Sequence, residues 1–363
     1  MKKKILSIIG ARPQFIKTAL LSWELRKDFQ EVVLHTGQHY DLNMSDVFFR
    51  DLKLPKVKYN LEVGSGTQAR QTAQMMELIE FVIKREKPDL TIIYGDTNST
   101  IAGALASTKL HIPVAHVEAG MRSYNRRMPE EINRVVSDHI SDLLFCSTRS
   151  SAEILKKEGI KKNVFFVGDV MYDLQLKTLH DLSSELSDSN IINKLDLVPK
   201  KYLLATVHRQ ENTDERENLQ NILRAFEKIE ETIIYPIHPR TRKFLKLQRL
   251  ETWVKKIKNL KIINPTNYQE TIQLEQNARM ILTDSGGIQK EAYMAKVPCL
   301  TLRNETEWTE TVTSGWNHLV GTNVEKILKL TKKFPKPKGH ANFLGKGDAY
   351  LKIAEIIKKT LYP

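Results

Sequence analysis

The feature that most constrains this chain is an alternation that runs along it twice. Short β-branched apolar runs at 5–9, 32–36, 90–94, 114–117 and 143–146 are separated by amphipathic stretches such as 15–27 and 67–84. A polar stretch at 182–201, rich in Ser, Asp, Asn and Lys, interrupts the pattern. It then restarts, with runs at 202–206, 232–236, 260–263, 280–283 and 299–302. Strand-length runs alternating with helix-length amphipathic segments build parallel sheets wrapped by helices. At 363 residues the chain also exceeds the size of most single cores. The expectation is an α/β protein made of two Rossmann-like domains facing a central cleft. The N-terminal domain is placed at 1–170 and the second at 171–345, and the closing segment 346–363 reads as a helix that can pack back on the first domain. No short-period repeat is visible, which argues against a solenoid.

Composition narrows the function mainly by exclusion. The net charge is +13, but the lysines are scattered, as in Lys156-Lys157, Lys255-Lys256 and Lys358-Lys359. No aromatic-interleaved basic stripe accompanies them, so the charge reads as a solvated surface that steers anions, and no nucleic-acid partner is expected. No apolar run approaches the ~20 residues that span a bilayer, and no membrane partner is expected. The basic start, Met1-Lys2-Lys3-Lys4, is followed by an apolar run that breaks at Gly10-Ala11-Arg12-Pro13. It reads as a first strand rather than a signal peptide. Cys146 and Cys299 sit in apolar runs without metal-ligand spacing, as buried thiols of a cytoplasmic protein do. Neither a metal nor a cofactor is expected.

Chemistry concentrates between residues 94 and 134. One apolar run ends in Gly95-Asp96-Thr97, and another ends in Glu118-Ala119-Gly120. Beyond them come Arg122, Arg126-Arg127 and Pro129-Glu130-Glu131-Ile132-Asn133-Arg134. Ligands of open α/β sheets bind beyond the carboxyl ends of the strands. Acids and arginines gathered there suit proton chemistry on an anionic substrate. Asp96 and Glu130 could instead be helix caps, since both lie at helix-start sequences. Capping does not account for Glu118.

Gly10-Ala11-Arg12-Pro13, with Lys17 further along, lacks the Gly-x-Gly-x-x-Gly spacing of a dinucleotide fold. It is either a tight turn with an exposed Arg or a helix start that holds an anion. Thr283-Asp284-Ser285-Gly286-Gly287 also follows a strand and opens a helix, with Glu291 two turns in. Successive glycines bring backbone N–H groups close to a pyrophosphate, and Glu291 suits a ribose diol, so nucleotide binding is favoured over a plain turn. His208-Arg209 and His238-Pro239-Arg240 each end a strand of the second half, and pairing a His with an Arg there again favours an anionic ligand.

With His35-Thr36-Gly37-Gln38-His39 added, these motifs, in this order and over nearly the whole chain, closely resemble the non-hydrolysing UDP-N-acetylglucosamine 2-epimerase family. The resemblance implies the two-domain fold shared with GT-B glycosyltransferases, a homodimer, and inversion at carbon 2 of a UDP-linked N-acetylhexosamine for surface polysaccharides such as O-antigen. It implies elimination of UDP to a bound 2-acetamidoglucal, followed by re-addition. Asp96, Glu118 and Glu130 would be the acid–base set, with His208 supporting the diphosphate. Arg12, Lys17, His39, Arg122, Arg126, Arg127, Arg209, His238, Arg240, Tyr268, Ser285, Gly286, Gly287, Glu291 and Trp308 would contact the substrate. Where members acting on plain UDP-N-acetylglucosamine usually have Thr-Glu-Arg-Pro-Glu, this chain has Thr306-Glu307-Trp308-Thr309-Glu310. Together with the Ser123–Met128 segment, that resembles the subgroup acting on UDP-2,3-diacetamido-2,3-dideoxy-glucuronate. Three rivals are a GT-B transferase, a hydrolysing epimerase and a non-enzymatic sugar-binding module. The three-acid set separates the first from an epimerase, UDP accumulation during turnover the second, and the acids themselves disfavour the third.

Overall fold

The computed structural model describes residues 2–38, 52, 54–184 and 190–363. It divides into two compact units, one of Met1–Lys177 with Asn342–Pro363, the other of Thr178–Ala341. The first unit holds a seven-stranded sheet of β1 (Lys4–Ile9), β2 (Gln30–His35), β3 (Tyr59–Asn60), β4 (Leu90–Tyr94), β5 (Val114–Val117), β6 (Leu143–Cys146) and β7 (Val164–Phe166). Its order is β3-β2-β1-β4-β5-β6-β7, with parallel pairing throughout. The second unit holds β8 (Tyr202–Thr206), β9 (Thr232–Pro236), β10 (Leu260–Ile263), β11 (Met280–Thr283), β12 (Cys299–Thr301) and β13 (Asn317–Leu319). Its order, β10-β9-β8-β11-β12-β13, is also parallel. These two α/β units with parallel sheets have a GT-B-like fold.

Alternating side chains send each strand's apolar residues to both faces, and both faces are covered by helices. On β1, Leu6 and Ile8 pack with Met75, Ile79 and Val82 of the Gln68–Glu86 helix and with Ala102 and Ala106 of the Asn98–Lys109 helix. On β8, Leu203 and Ala205 meet Leu219, Ile222 and Phe226 of the Arg216–Lys228 helix, while Tyr202 and Leu204 join Leu274 and Ala292 on the other side. Gly103 brings the Asn98–Lys109 helix close to the sheet: a Cβ there would lie 2.8 Å from Ile8 Cδ1. The closing helix, Ala349–Leu361, belongs to the first unit and rests on the Arg12–Asp28 helix. The two cysteines are free and buried, and burial raises both thiols, Cys299 to about 12.

Three short strands escape a reading of the sequence. Tyr59–Asn60 and Val164–Phe166 are edge strands: the first is two residues long with an exposed Asn60, and the second is an apolar run of only three half-buried residues. Asn317–Leu319 is polar at two of its three positions. The polar stretch after 182 contains the one-turn helix Ile191–Lys194, which starts from an Asn190 cap and packs on the second sheet through Ile191 and Ile192. Among the described residues, no helix is long and apolar enough to cross a membrane.

Candidate active site

In both sheets strand order reverses direction at one point, between β1 and β4 and again between β8 and β11. Loops part at such a switch point and leave room for a ligand. The predicted motifs lie on these loops and on those just beside them.

In the first unit the switch point is fastened by Gln14. Its Oε1 accepts from the backbone N–H groups of Gly10 and Ala11 at 2.8 and 3.0 Å, and its Nε2 donates to the Tyr94 carbonyl at 2.9 Å. The end of β1 is thereby tied to the end of β4. Gly10 fills a place where a Cβ would lie 2.0 Å from Thr36 Oγ1 and 2.2 Å from Ser99 Oγ, so any side chain is excluded. Thr36 Oγ1 and Gln38 Oε1 in turn meet Ser99 Oγ at 2.7 and 2.8 Å, joining the end of β2 to the Asn98–Lys109 helix.

The acids stand on this scaffold. Glu118 follows β5 with φ +72, in the left-handed region that costs a non-glycine residue ~1 kcal/mol or more. Its Oε1 is 2.7 Å from Lys17 Nζ, with both side chains nearly buried. Gly95, at φ +62, sits beside that pair: a Cβ there would lie 2.7 Å from Lys17 Nζ and 4.0 Å from Glu118 Oε1. The next residue, Asp96, pairs through Oδ2 with Arg134, and its backbone carbonyl accepts from Asn133 Nδ2 at 3.0 Å. Asp96 keeps 31% of its side chain exposed while Arg134 keeps 3%, so the carboxylate faces outward from a buried cation. Lys17, Glu118, Gly95 and Asp96 are therefore brought together.

Neither Asp96 nor Glu130 is a helix cap: Thr97 precedes the Asn98–Lys109 helix, and Met128 precedes the Pro129–Ile140 helix. The adjacent acids Glu130 and Glu131 have different tasks. Glu131 is buried and accepts from Ser123 N, Ser123 Oγ, Tyr124 N and Arg134 Nη1 at 2.8 to 3.0 Å. It thus closes the 123–131 loop, while Glu130 in the first helical turn is half-buried. Arg126 and Arg127 on that loop are exposed. Arg122 is buried instead: it donates to Asp138 at 2.7 Å and grips Glu158 through Nε and Nη2 at 2.9 and 2.6 Å. Its guanidinium serves as an internal strut, and the structure does not place it with the exposed arginines. Arg12 opens the helix after β1, and His39 lies outside the described residues.

In the second unit a carboxylate does the work that Gln14 does in the first. Asp284, fully buried after β11, accepts from His208 N at 3.0 Å, Arg209 N at 3.0 Å and Asn212 Nδ2 at 3.1 Å. This pins the loop after β8 to the Ser285-Gly286-Gly287 turn. Ser285 is the residue before the Gly286–Met294 helix, whose first N–H groups have no intrahelical partner to meet. Behind the turn, Glu307 Oε2 and Trp308 Nε1 lie 3.6 and 3.7 Å from where a Gly286 Cβ would be. Trp308 is buried, with Lys290 Nζ 4.6 Å from its ring centroid, and Glu307 pairs with Arg303 at 3.2 Å. The cation expected from an arginine at 308 is here a lysine packed on the tryptophan face, which the motif alone does not reveal. Glu291 and Tyr268 are buried as well.

His208 and His238 approach with ring centroids 5.1 Å apart. His238 caps the Pro239–Leu247 helix, its Nδ1 accepting from Arg240 N at 3.1 Å, so its ring proton is on Nε2. Arg240 is closed on Asp214, its Nη2 reaching both carboxylate oxygens at 2.6 and 2.7 Å, with Nε on Thr213 Oγ1. In this conformation it is folded onto its own unit.

The sequence reading missed two sets of residues. Gln14, directly after Gly10-Ala11-Arg12-Pro13, and Asp284, inside Thr283-Asp284-Ser285-Gly286-Gly287, drew no role, although an amide or a carboxylate flanking a glycine turn is a visible signal. His116 likewise stood without a role in the motif His116-Val117-Glu118-Ala119-Gly120, whereas Asp138 and Glu158, further along the chain, had no such signal.

Comparison with known proteins places these loops in context. The family model described as UDP-N-acetylglucosamine 2-epimerase matches residues 23–358. The UDP-N-acetylglucosamine 2-epimerase of Methanocaldococcus jannaschii is 45% identical, covering 99% of this chain and all of that one. The UDP-2,3-diacetamido-2,3-dideoxy-D-glucuronate 2-epimerase of Pseudomonas aeruginosa is 43% identical, covering 98% of this chain and 99% of that one. The crystal structure of the M. jannaschii enzyme in complex with UDP-GlcNAc and UDP superposes with a TM-score of 0.92 at 44% identity, covering 98% and 99% of the two chains. With a family match and full-length relatives of this kind, the chain belongs to the UDP-N-acetylglucosamine 2-epimerase family.

Proposed function

We propose that this protein inverts carbon 2 of UDP-N-acetylglucosamine by eliminating UDP and adding it back. The observation that carries the reading is the Glu118 carboxylate, held on a strained residue against buried Lys17 and next to Gly95-Asp96. Strain kept at a nearly buried carboxylate, on a strand-end loop that neighbours the loop of a second acid, is a sign of acid–base work. One carboxylate of the set takes the carbon 2 proton, the carbon 1–oxygen bond breaks, and UDP leaves with the bonding pair. A carbon 1–carbon 2 double bond remains. A second group then protonates carbon 2 from the opposite face while a diphosphate oxygen re-forms the bond to carbon 1. The sequence is redox-neutral, so it calls for no redox cofactor.

Asp96, Glu118 and Glu130 form the acid–base set in this reading, and Lys17 orients Glu118. The Ser285-Gly286-Gly287 turn and Glu291 bind UDP, with Tyr268 beside them and His208, Arg209 and His238 toward the diphosphate; Arg12 adds cationic charge. The protein acts in the cytoplasm as a homodimer, with neither nucleic acid nor membrane as partner, and supplies a surface-polysaccharide precursor. The test is proton NMR in D₂O. UDP-N-acetylglucosamine is expected to give the manno epimer with deuterium at carbon 2 and no accumulating UDP. Stoichiometric UDP with free N-acetylmannosamine would instead identify a hydrolase.

A second reading keeps this chemistry but changes the sugar to a UDP-2,3-diacetamido-2,3-dideoxy-uronate. Exposed Arg126 and Arg127, next to Glu130, suit an added carboxylate. Trp308 with Lys290 on its face, in place of an arginine, suits a second acetamido group. The same NMR assay with both sugars decides between them. Turnover of the uronate with little or none of the plain sugar selects the second reading, and the reverse result rejects it.

A further inference from the structure

We infer that His116 is a positioning residue for the acids of this reaction: its Nε2–H holds the Gly95 carbonyl and thereby sets the peptide that carries Asp96. The inference rests on the reading of Asp96 and Glu118 as acid–base groups.

His116 lies on β5 with no exposed surface, two residues before Glu118. Its Nε2 is 2.7 Å from the Gly95 carbonyl oxygen, which can only accept, so Nε2 donates. The Gly95 N–H donates to Val117 O at 3.0 Å. Both polar groups of Gly95 are thus bound to β5, one of them by a side chain. The Gly95 carbonyl lies in the peptide plane that leads into Asp96, so turning it re-aims the carboxylate. Gly95 has the left-handed φ of +62, and without a side chain it gains no packing that would hold this orientation.

The other ring nitrogen extends the device to Glu118. Nδ1 is 2.7 Å from Asp138 Oδ1, and Asp138 Oδ2 accepts from Gly120 N at 3.1 Å and from Arg122 Nη1 at 2.7 Å. A single buried carboxylate therefore registers the loop of Asp96, through His116, against the loop of Glu118, through Gly120. Burial pushes the Asp138 carboxyl up, but His116 and Arg122 outweigh it and hold it below the usual carboxylate range. Arg122 is itself gripped by Glu158, so an unbroken set of contacts runs from Glu158 through Arg122, Asp138 and His116 to the Gly95 loop. Catalytic groups displaced by about 1 Å lose on the order of a hundredfold in rate. That is the scale expected here.

Two isosteric variants separate positioning from simple support of the fold. In His116→Gln the side-chain amide nitrogen can take the place of Nε2 and keep the bond to Gly95. In His116→Asn it takes the place of Nδ1, so the bond to Asp138 remains and the bond to Gly95 is lost. We expect His116→Gln to keep kcat within about tenfold and His116→Asn to lose about a hundredfold. KM should stay within about threefold and thermal midpoints should fall alike, with deuterium uptake at carbon 2 slowing in step with kcat. Equal kcat losses that follow the melting temperatures, or a loss confined to KM, would overturn the inference. If His116 variants do not fold, Asp138→Asn takes their place; it is expected to lower kcat more than tenfold at unchanged KM, and an unchanged kcat again overturns it. Asp96→Asn is assayed in parallel. Full turnover by that variant removes the acid–base reading and this inference with it, whereas an inactive Asp96→Asn beside a fully active His116→Asn removes only the positioning role.

Discussion

The two units have the same strand order but spend the loops at their switch points on opposite chemistry. In the first, the segments after β1, β4 and β5 bring charged side chains together: helical Lys17 on Glu118, and helical Arg134 on Asp96. In the second, the loops after β8 and β11 present backbone N–H groups around Ser285-Gly286-Gly287, and the one fully buried acid there, Asp284, is consumed in pinning the turn. The staples differ accordingly. Gln14, neutral, ties Gly10 and Ala11 to Tyr94 and adds no charge beside the acids. Asp284, charged, ties His208 and Arg209 to the glycine turn with stronger bonds. The lesson is that a shared sheet order supplies only the place, and the residues grafted on it supply the chemistry.

The largest expected effect tests whether the first unit alone carries the proton chemistry. Asp96→Asn, Glu118→Gln and Glu130→Gln are each expected to lower kcat by about two or more powers of ten, the scale of general acid–base groups. Glu131→Gln, which leaves the loop acceptor partly intact, should act mainly through stability. Near-normal kcat at saturating substrate for any of the first three ends its assignment. A rate-dead Glu131→Gln of unchanged melting temperature would exchange the roles of the two neighbours.

Next in size is the staple of the second unit. Asp284→Ala removes a carboxylate with three N–H partners and should destabilise by about 2 kcal/mol, since bonds to charged acceptors are among the stronger ones. UDP affinity measured by calorimetry should fall with it. If Asp284→Ala melts normally and binds UDP normally, the proposed difference between the two staples is wrong. Glu291→Ala is expected to weaken UDP by roughly tenfold, about one charge-assisted hydrogen bond to the ribose, with little effect on an analogue lacking that sugar. Unchanged UDP affinity would move the nucleotide site away from this helix.

The smallest effect concerns a charge cluster of the first unit, at the start of the Ala349–Leu361 helix. Burial, helped by the carboxylates of Asp169 and Asp348, pushes the Asp173 carboxyl up to about 7, although the N–H groups of Tyr350 and Ala349 pull it the other way. A carboxyl raised on folding is most favourable in its protonated form. Its contribution is therefore full below the unfolded value near 4 and is lost as pH rises through about 7. Asp173→Asn can still accept from Tyr350 N through its carbonyl oxygen. It should raise stability at pH 8 by about 1 kcal/mol and change little at pH 4. Melting curves at the two pH values check this, and an equal gain at both would point to a cause other than ionisation.

Much of the architecture was legible because local patterns were sufficient for it. Leu90–Tyr94, Val114–Val117 and Leu143–Cys146 are apolar runs bounded by breakers, buried on both faces as central parallel strands must be. Asp96, Glu118 and the Ser-Gly-Gly turn were visible because each comes just after such a run, and Glu130 because it opens a helix at Pro129. What the sequence by itself determined was the two-sheet plan and which short segments meet ligands, since both depend on residues adjacent in the chain. Only the tertiary structure decided which charged side chains are held inside the fold. It set Glu131 inside its loop beside the more open Glu130, closed Arg122 on Asp138 and Glu158, and folded Arg240 onto Asp214. It also joined His116 to Gly95 and Asp138 across separations of 21 and 22 residues. Hydrogen bonds and ion pairs act over about 3 Å in space, and nothing in the local pattern of a strand or helix says which distant group will come within that reach.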